Sequence, residues 1–201
     1  RLEAARTLEK MTPLEAVPDL IEAYKDKDSN VKKAVHEALI AIFKTVEQDI
    51  QKAAMQICTG KAVPGTVPFE LKYGDKNPHP FVVLDYSRSI SFITYKLPPD
   101  WLPFSVEEIQ GVVCLSIAQS DVVETCSYSG NVKVKRIQYK QGFILRSAFD
   151  GAILEVDLLL AEKPSGCPYI KLGSGDIHGP AVDVNQLLAW FRKWGYKFDL
   201  P

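Results

Sequence analysis

Residues 143–158, FILRSAFDGAILEVDL, place two apolar stretches on either side of the pair Asp150-Gly151. An Asp-Gly pair suits the two positive φ values of a type I′ turn, and polar residues alternate with apolar ones on both sides. The stretch therefore predicts a β-hairpin in which Arg146 lies opposite Glu155 as a cross-strand ion pair. One face of the hairpin is expected to be buried. That face carries Phe143, Leu145, Leu154, Val156 and Leu158.

A second hairpin is predicted upstream, with strands at 111–117 and 122–128 around a turn at 119–121. If Ser120 is its centre, Cys114 faces Cys126 across the ladder. Directly opposed Cβ atoms lie about 4.5–5.5 Å apart, which is close to disulfide range. The pattern leaves two alternatives, a Cys114–Cys126 disulfide or two buried free thiols that pack as small hydrophobic groups.

The chain changes character near residue 60, where glycines and prolines interrupt a helical pattern. Further strands are predicted at 81–86, 89–95 and 132–140, and a helix with an Asp183 cap at 183–194. Asp28, Ser29 and Asn30 form a capping and turn cluster before the second N-terminal helix. We therefore expect an α+β fold of two parts. Residues 1–58 form a helical segment, and residues 61–201 form a mainly antiparallel sheet domain with a C-terminal helix over one face.

The first fifty residues repeat at an offset of 31, which pairs Leu8 with Leu39 and Met11 with Ile42. Self-similarity at such a period is typical of helical solenoids. Because residues 1–11 already follow a helical pattern and begin with Arg1, we expect the sequence to start inside a helical element.

Residues 15–39 resemble the HEAT repeat, particularly its short bacterial type, with Lys32 where the family usually has Arg. The matching positions are the start of the first helix, the turn and the start of the second helix: Ala16-Val17-Pro18, Asp26, Asp28, Val31-Lys32, Ala34 and Ala38. The resemblance implies an interaction scaffold, because stacked helix pairs offer an extended surface without chemistry of its own. It covers about a quarter of the chain, so these helices are expected to cap a longer solenoid or to pack on the following domain.

The second part also resembles β-rich accessory domains of uncharacterised bacterial proteins. The segments that carry this likeness are Val112-Val113-Cys114, Glu124-Thr125-Cys126-Ser127-Tyr128, Phe149-Asp150-Gly151 and Cys167-Pro168. The resemblance implies that the cysteines belong together, and it implies no activity.

Composition excludes several classes of function. The 24 basic and 25 acidic residues give a net charge of −1, which argues against non-specific nucleic-acid binding. The basic stretch 133–140 is therefore interpreted as a solvated strand face. No segment has the roughly 18 uncharged apolar residues of a membrane span. The four cysteines lack zinc-site spacing, and His36 is interpreted as a surface residue rather than a ligand, so no metal, cofactor or catalytic residue is assigned.

The leading hypothesis is a non-catalytic module that binds another protein, with its oligomeric state left open. The candidate interaction surface consists of aromatic and polar residues of the second part: Trp101, Asp176, His178, Trp190 and Trp194. One alternative is a thiol-dependent transferase, similar to the enzymes that attach bilins, with Cys167 as nucleophile and His178 as base. Another alternative is a small-ligand or glycan-binding domain with Trp101 or Trp194 in a cleft. The opposed cysteines slightly favour a location outside the cytoplasm.

Overall fold

Two helices precede the sheet. The computed structural model describes residues 13–69, 79–169 and 175–193, together with the isolated positions Glu3 and Thr7. A 3₁₀ turn leads into helix α1 (Val17–Ala23), and helix α2 (Ser29–Cys58) follows. Asp28 caps α2, as the sequence predicts, because its side chain accepts a hydrogen bond of 2.8 Å from the Asn30 amide.

Helix α2 is continuous over 30 residues and contacts α1 near its start. Its buried side chains recur every three or four residues and form one stripe: Val31, Ala34, Val35, Ala38, Leu39, Ile42, Phe43, Ile50, Ala53, Ala54 and Ile57. Most of the predicted helix at 1–11 lies outside the described residues, although Glu3 and Thr7 are helical. The HEAT-like repeat therefore stays a prediction.

Among the described residues, six strands form one mixed sheet around a long central strand. The strands are β1 (Phe81–Leu84), β2 (Gly111–Leu115), β3 (Gln119–Ser127), β4 (Lys133–Ser147), β5 (Ile153–Leu160) and β6 (Ile177–His178). Strand β4 pairs antiparallel with β2, β3 and β5 and parallel with β6, and β1 pairs parallel with β2. Together with the C-terminal helix α3 (Val184–Lys193), this arrangement confirms the α+β class.

The upstream hairpin differs from the prediction. Strands β2 and β3 pair with successive parts of β4, since Leu115 lies opposite Phe143 and Gln119 opposite Lys140. The chain therefore continues through the expected turn at 119–121, and it reverses instead at the 3₁₀ turn Ser129–Asn131. The reversal includes a positive φ of 59° at Asn131, which asparagine tolerates better than most residues.

The downstream hairpin lies where it is predicted, but its register and turn differ. Leu145 pairs with Glu155 and Arg146 with Ile153, so Leu154 is an extra residue that shifts the register. Of the turn pair, Gly151 alone has a positive φ, which rules out a type I′ turn. Arg146 donates a hydrogen bond of 2.8 Å to the Gly151 carbonyl, and the expected ion pair with Glu155 is wrong.

The two faces of the sheet are covered by different helices. Cys114, Ile144 and Val156 form one cross-strand row, and Cys114 is disulfide-bonded to Cys58 at the end of α2. This is the α2 face. On the opposite face, α3 packs through two aromatic contacts with ring centroids 4.9 and 5.0 Å apart. These contacts are Phe81–Phe191 and Phe143–Trp190.

Residues 89–95, predicted as a strand, instead bridge the sheet and α2 through the 3₁₀ turn Thr94–Lys96. The Thr94 hydroxyl donates to the Val83 carbonyl and accepts from the Val83 amide, at 3.1 and 3.0 Å. Tyr95 packs edge-on against Phe43 and donates a hydrogen bond of 2.6 Å to Glu47. These side-chain contacts replace the predicted strand ladder.

His36 lies at the same junction rather than on the open surface. Its Nε2 atom is 3.1 Å from the Tyr95 carbonyl oxygen, and its ring is half-buried. Burial lowers the pKa of His36, because the charged imidazolium loses solvation. Burial also raises the pKa of Tyr95, with a further contribution from the Glu47 carboxylate. The prediction of a surface histidine is therefore corrected.

One continuous core extends from α1 through the sheet to α3, and it contains side chains from both predicted parts of the chain. The division into residues 1–58 and 61–201 stays a prediction. The distal ends of β3 and β4 project beyond this core, because their buried residues Cys126 and Val134 do not belong to it. We call residues 119–140, with 162–169 and 175–180, the arm, which joins the core at Tyr139.

Candidate functional site

Strand β5 is an edge strand with an exposed apolar face. Among the described strands it pairs with β4 alone. Four of its side chains point to the α2 face, and their exposed fractions are 53% for Ile153, 58% for Val156, 45% for Leu158 and 56% for Leu160. We call these four side chains the β5 stripe. Helix α2 packs against β1, β2 and β4, and the four side chains of the stripe stay exposed.

The sequence predicts that Val156 and Leu158 are buried in the core with Phe143 and Leu145, whereas the structure exposes both. Asp157 lies opposite Phe143 instead. Because neighbouring residues of a strand point to opposite faces, a register shifted by one residue moves a whole apolar set from the core to the surface. The bulge at Leu154 is the cause of this shift.

The opposite face of β5 is held by α3. The Trp190 indole Nε1 donates a hydrogen bond of 2.7 Å to the Asp157 carboxylate, and the Trp190 ring packs edge-on against Phe143. Helix α3 begins with a capping box: the Asp183 side chain accepts from the Asn185 amide, and Gln186 accepts from the Asp183 amide. This cap fixes the start of the helix that carries Trp190.

A groove of about 200 Å³ lies between the end of β5 and α3. Leu159, Ala189 and Trp190 supply apolar walls, and Gln186 and Lys193 supply polar groups. Small-molecule sites commonly enclose about 300–1,000 Å³. The groove therefore has room for one or two side chains and is small for a cofactor.

The outer edge of β5 carries main-chain groups that do not join the β4 ladder. The Ala161 amide bonds the Tyr139 carbonyl of β4, so the alternate residues 156, 158 and 160 direct their main-chain groups outward. The Val156 amide donates to the Glu155 carboxylate at 3.0 Å, and the Leu158 amide donates to Asp157 at 2.7 Å. These contacts are local, and no described strand other than β4 pairs with β5.

The predicted tryptophan surface is wrong for its two described members. Trp101 and Trp190 are 3% and 4% exposed and belong to an aromatic cluster with Phe81 and Phe191. Trp194 lies outside the described residues.

Asp176 and His178 are exposed on the arm. Asp176 accepts a hydrogen bond of 2.9 Å from the Lys135 amide. The Nδ1 atom of His178 lies 2.9 Å from the Tyr139 hydroxyl, and the two rings stack. Their part in an interaction surface stays a prediction.

The predicted Cys114–Cys126 disulfide is wrong. The structure pairs Cys58 with Cys114 and Cys126 with Cys167, and no described cysteine is free. Cys114 lies on β2 and Cys126 on β3, and these two strands follow one another along β4 in one long hairpin. Their β4 partners, Ile144 and Val134, are ten residues apart, so at about 3.3 Å per residue the two cysteines lie roughly 33 Å apart along it.

Two of the four basic side chains in the stretch 133–140 form ion pairs within the arm. Arg136 forms an ion pair with Glu124 and donates to the Ser165 carbonyl at 2.8 Å, and Lys140 pairs with Asp121 at 2.6 Å. These pairs favour the interpretation of the stretch as a solvated strand face over a nucleic-acid site.

Among the residues described, no group of three or more His, Cys, Asp or Glu side chains could hold a metal ion. None of the described helices combines the length and the apolar character needed to span a membrane. A scan against protein-family models gave no match, and searches of curated proteins and of solved structures gave none either. The proposed function below therefore rests on the chain's own residues.

Proposed function

We propose that this protein is a non-catalytic module that binds another protein through the β5 stripe. The observation that carries the proposal is the exposure of Ile153, Val156, Leu158 and Leu160 on one face of an edge strand. Contiguous exposed apolar patches on soluble proteins mark interaction sites.

The edge itself supports the proposal. Natural proteins protect a sheet edge with lysines, prolines, bulges or short strands, because an unprotected edge recruits other chains. Strand β5 is eight residues long, and residues 154–160 contain neither lysine nor proline. Its one bulge, at Leu154, lies at the start of the strand, so the segment that follows is regular and open.

The paired cysteines support the proposal that the protein functions in an oxidising compartment. All four are paired in the structure, and such disulfides persist mainly outside the cytoplasm. In this state the Cys167 sulfur is bonded to Cys126, and His178 contacts Tyr139, so the transferase alternative gains no support. The HEAT-like resemblance of residues 15–39 adds to the expectation of an interaction scaffold.

Site-specific photocrosslinking tests the proposal. A photoreactive phenylalanine analogue at Leu158 is expected to form a discrete adduct with another protein in the cells that naturally produce the chain. The same analogue at Tyr86, which is exposed far from the stripe in sequence, is the matched control. Adducts from both positions, or from neither, would contradict the proposal.

The double substitution Val156→Lys with Leu160→Lys places charge on the stripe without touching the core. It is expected to abolish the Leu158 adduct while the circular dichroism spectrum and the thermal midpoint stay close to those of the parent. An adduct that survives would show that the stripe is not the binding face.

A further inference from the structure

We propose that the partner binds as an extended strand added to the outer edge of β5, with apolar side chains at alternate positions and lysine or arginine between them. This inference rests on the proposed function and specifies the chemistry of its partner.

The main chain of β5 sets the mode of binding. Residues 156, 158 and 160 direct their main-chain groups away from β4. The Val156 and Leu158 amides contact the carboxylates of their own neighbours, Glu155 and Asp157. An added strand would replace these local contacts with a regular ladder, as in other cases of β-strand addition.

The two faces of β5 explain why side chains of two kinds should alternate along the partner strand. An added strand directs successive side chains to opposite faces of the sheet. One set would lie beside Val156, Leu158 and Leu160, whose exposed surface favours apolar partners. The other set would lie over Glu155, Asp157 and Leu159, where the groove against α3 has room for one or two side chains near Leu159.

Charge complementarity indicates which residues should lie between the apolar positions of the partner strand. Among the described residues, neither Glu155 nor Asp157 takes part in an ion pair. The Glu155 side chain contacts the Val156 amide, and Asp157 contacts the Leu158 amide and the Trp190 indole. Basic side chains opposite these carboxylates would form cross-strand pairs, which stabilise a sheet. Lys193 is the basic residue that lines the groove. It lies near Leu159 and Leu160, at the other end of the site from Glu155.

A second copy of the chain fits this edge less well. Two β5 strands related by a two-fold axis at Val156 would place Glu155 against Asp157 twice. An axis at Asp157 would place the two Asp157 carboxylates against each other. Like charges directly opposite one another destabilise a sheet, so the registers with the greatest overlap are penalised. The complement is therefore a different, basic strand.

Fluorescence anisotropy with the full chain and two labelled peptides tests the charge pattern. In one peptide valine alternates with lysine, and in the other valine alternates with glutamate. The lysine peptide is expected to bind about ten-fold more tightly at low salt, because two cross-strand pairs change from repulsive to attractive. The double substitution Glu155→Gln with Asp157→Asn should remove most of this preference, and Val67→Ser, an exposed aliphatic control, should preserve it.

Amide hydrogen exchange tests the mode of binding. The lysine peptide is expected to slow exchange at Val156 and Leu158, and a peptide with N-methylated main-chain amides should bind at least ten-fold more weakly. Equal affinity for the two charged peptides, or binding without protection at these amides, would overturn the strand-addition model.

Two further outcomes separate this inference from the proposed function. A partner adduct at Leu158 without any peptide binding would retain the binding surface and reject the extended basic strand. Sedimentation equilibrium that shows a dimer, lost on Leu158→Asn, would identify a second copy as the occupant and overturn the proposal.

Discussion

Removal of the two disulfides one at a time is expected to distinguish the stability of the core from that of the arm. The matched variants are Cys58→Ala with Cys114→Ala, and Cys126→Ala with Cys167→Ala. The bonds close loops with sequence separations of 56 and 41 residues. The chain-entropy model then gives about 4 kcal/mol for each, a difference of only a few tenths.

The entropic contributions of the two bonds are nearly equal. A difference in thermal midpoint between the two variants therefore depends on where each bond lies in the fold. Cys58 and Cys114 pack against the core and join α2 to β2. Their loss is expected to lower the thermal midpoint by about 10 °C, at 2–4 °C per kcal/mol for a chain of this size. Cys126 lies outside the core, so loss of its bond should lower the midpoint by less than about 3 °C.

The arm is where the second substitution is expected to act. Without the Cys126–Cys167 bond, the free energy of local opening should fall by up to about 4 kcal/mol, which corresponds to as much as 10³-fold faster amide exchange in β3. Differential scanning calorimetry and native-state hydrogen exchange measure the two effects. Equal midpoint losses in both variants, or unchanged exchange in β3, would refute the separation of arm from core.

Three further outcomes are expected. Gly151→Ala should destabilise the fold by about 2–3 kcal/mol in chemical denaturation, because Gly151 has a φ of 73° and an added Cβ would lie 2.5 Å from the Gly60 carbonyl oxygen; a loss below 1 kcal/mol would contradict this. Trp190→Phe should cost about 1–2 kcal/mol, because it removes the hydrogen bond to Asp157, and an unchanged denaturation midpoint would show that this bond contributes nothing. Because the folded-state pKa of His36 is lowered, the unfolded state binds more protons as the pH falls below about 6.5, so stability should decrease with acidification, and His36→Gln should flatten that part of the pH profile measured by urea unfolding.

Local pattern sufficed for most elements. Asp28 and Asp183 cap helices α2 and α3 where the sequence predicts caps, because capping depends on residues within one turn. The hairpin around Gly151 and the strand that begins near residue 133 were also predictable, since each follows from turn residues and alternation. Residues 89–95 defeated the same reasoning, because the Thr94 and Tyr95 side chains form tertiary bonds with β1 and α2.

The candidate site was not predictable in the same way. The sequence indicates an apolar strand at 153–160, but one bulged residue, Leu154, decides which face its side chains occupy. Trp101 and Trp190 were predicted as surface anchors and are buried, because aromatic rings from three separate segments meet only when the sheet and α3 pack together.

The sequence by itself determined the α+β class, the helix caps, the hairpin position and the nearly balanced charge. These are properties of composition and of residues close together in the chain. The tertiary structure alone decided that Cys58 bonds Cys114, that Cys126 bonds Cys167 and that β5 is an exposed edge. The physical reason is that disulfide partners and edge strands depend on contacts between residues far apart in sequence, and local propensity does not specify those contacts.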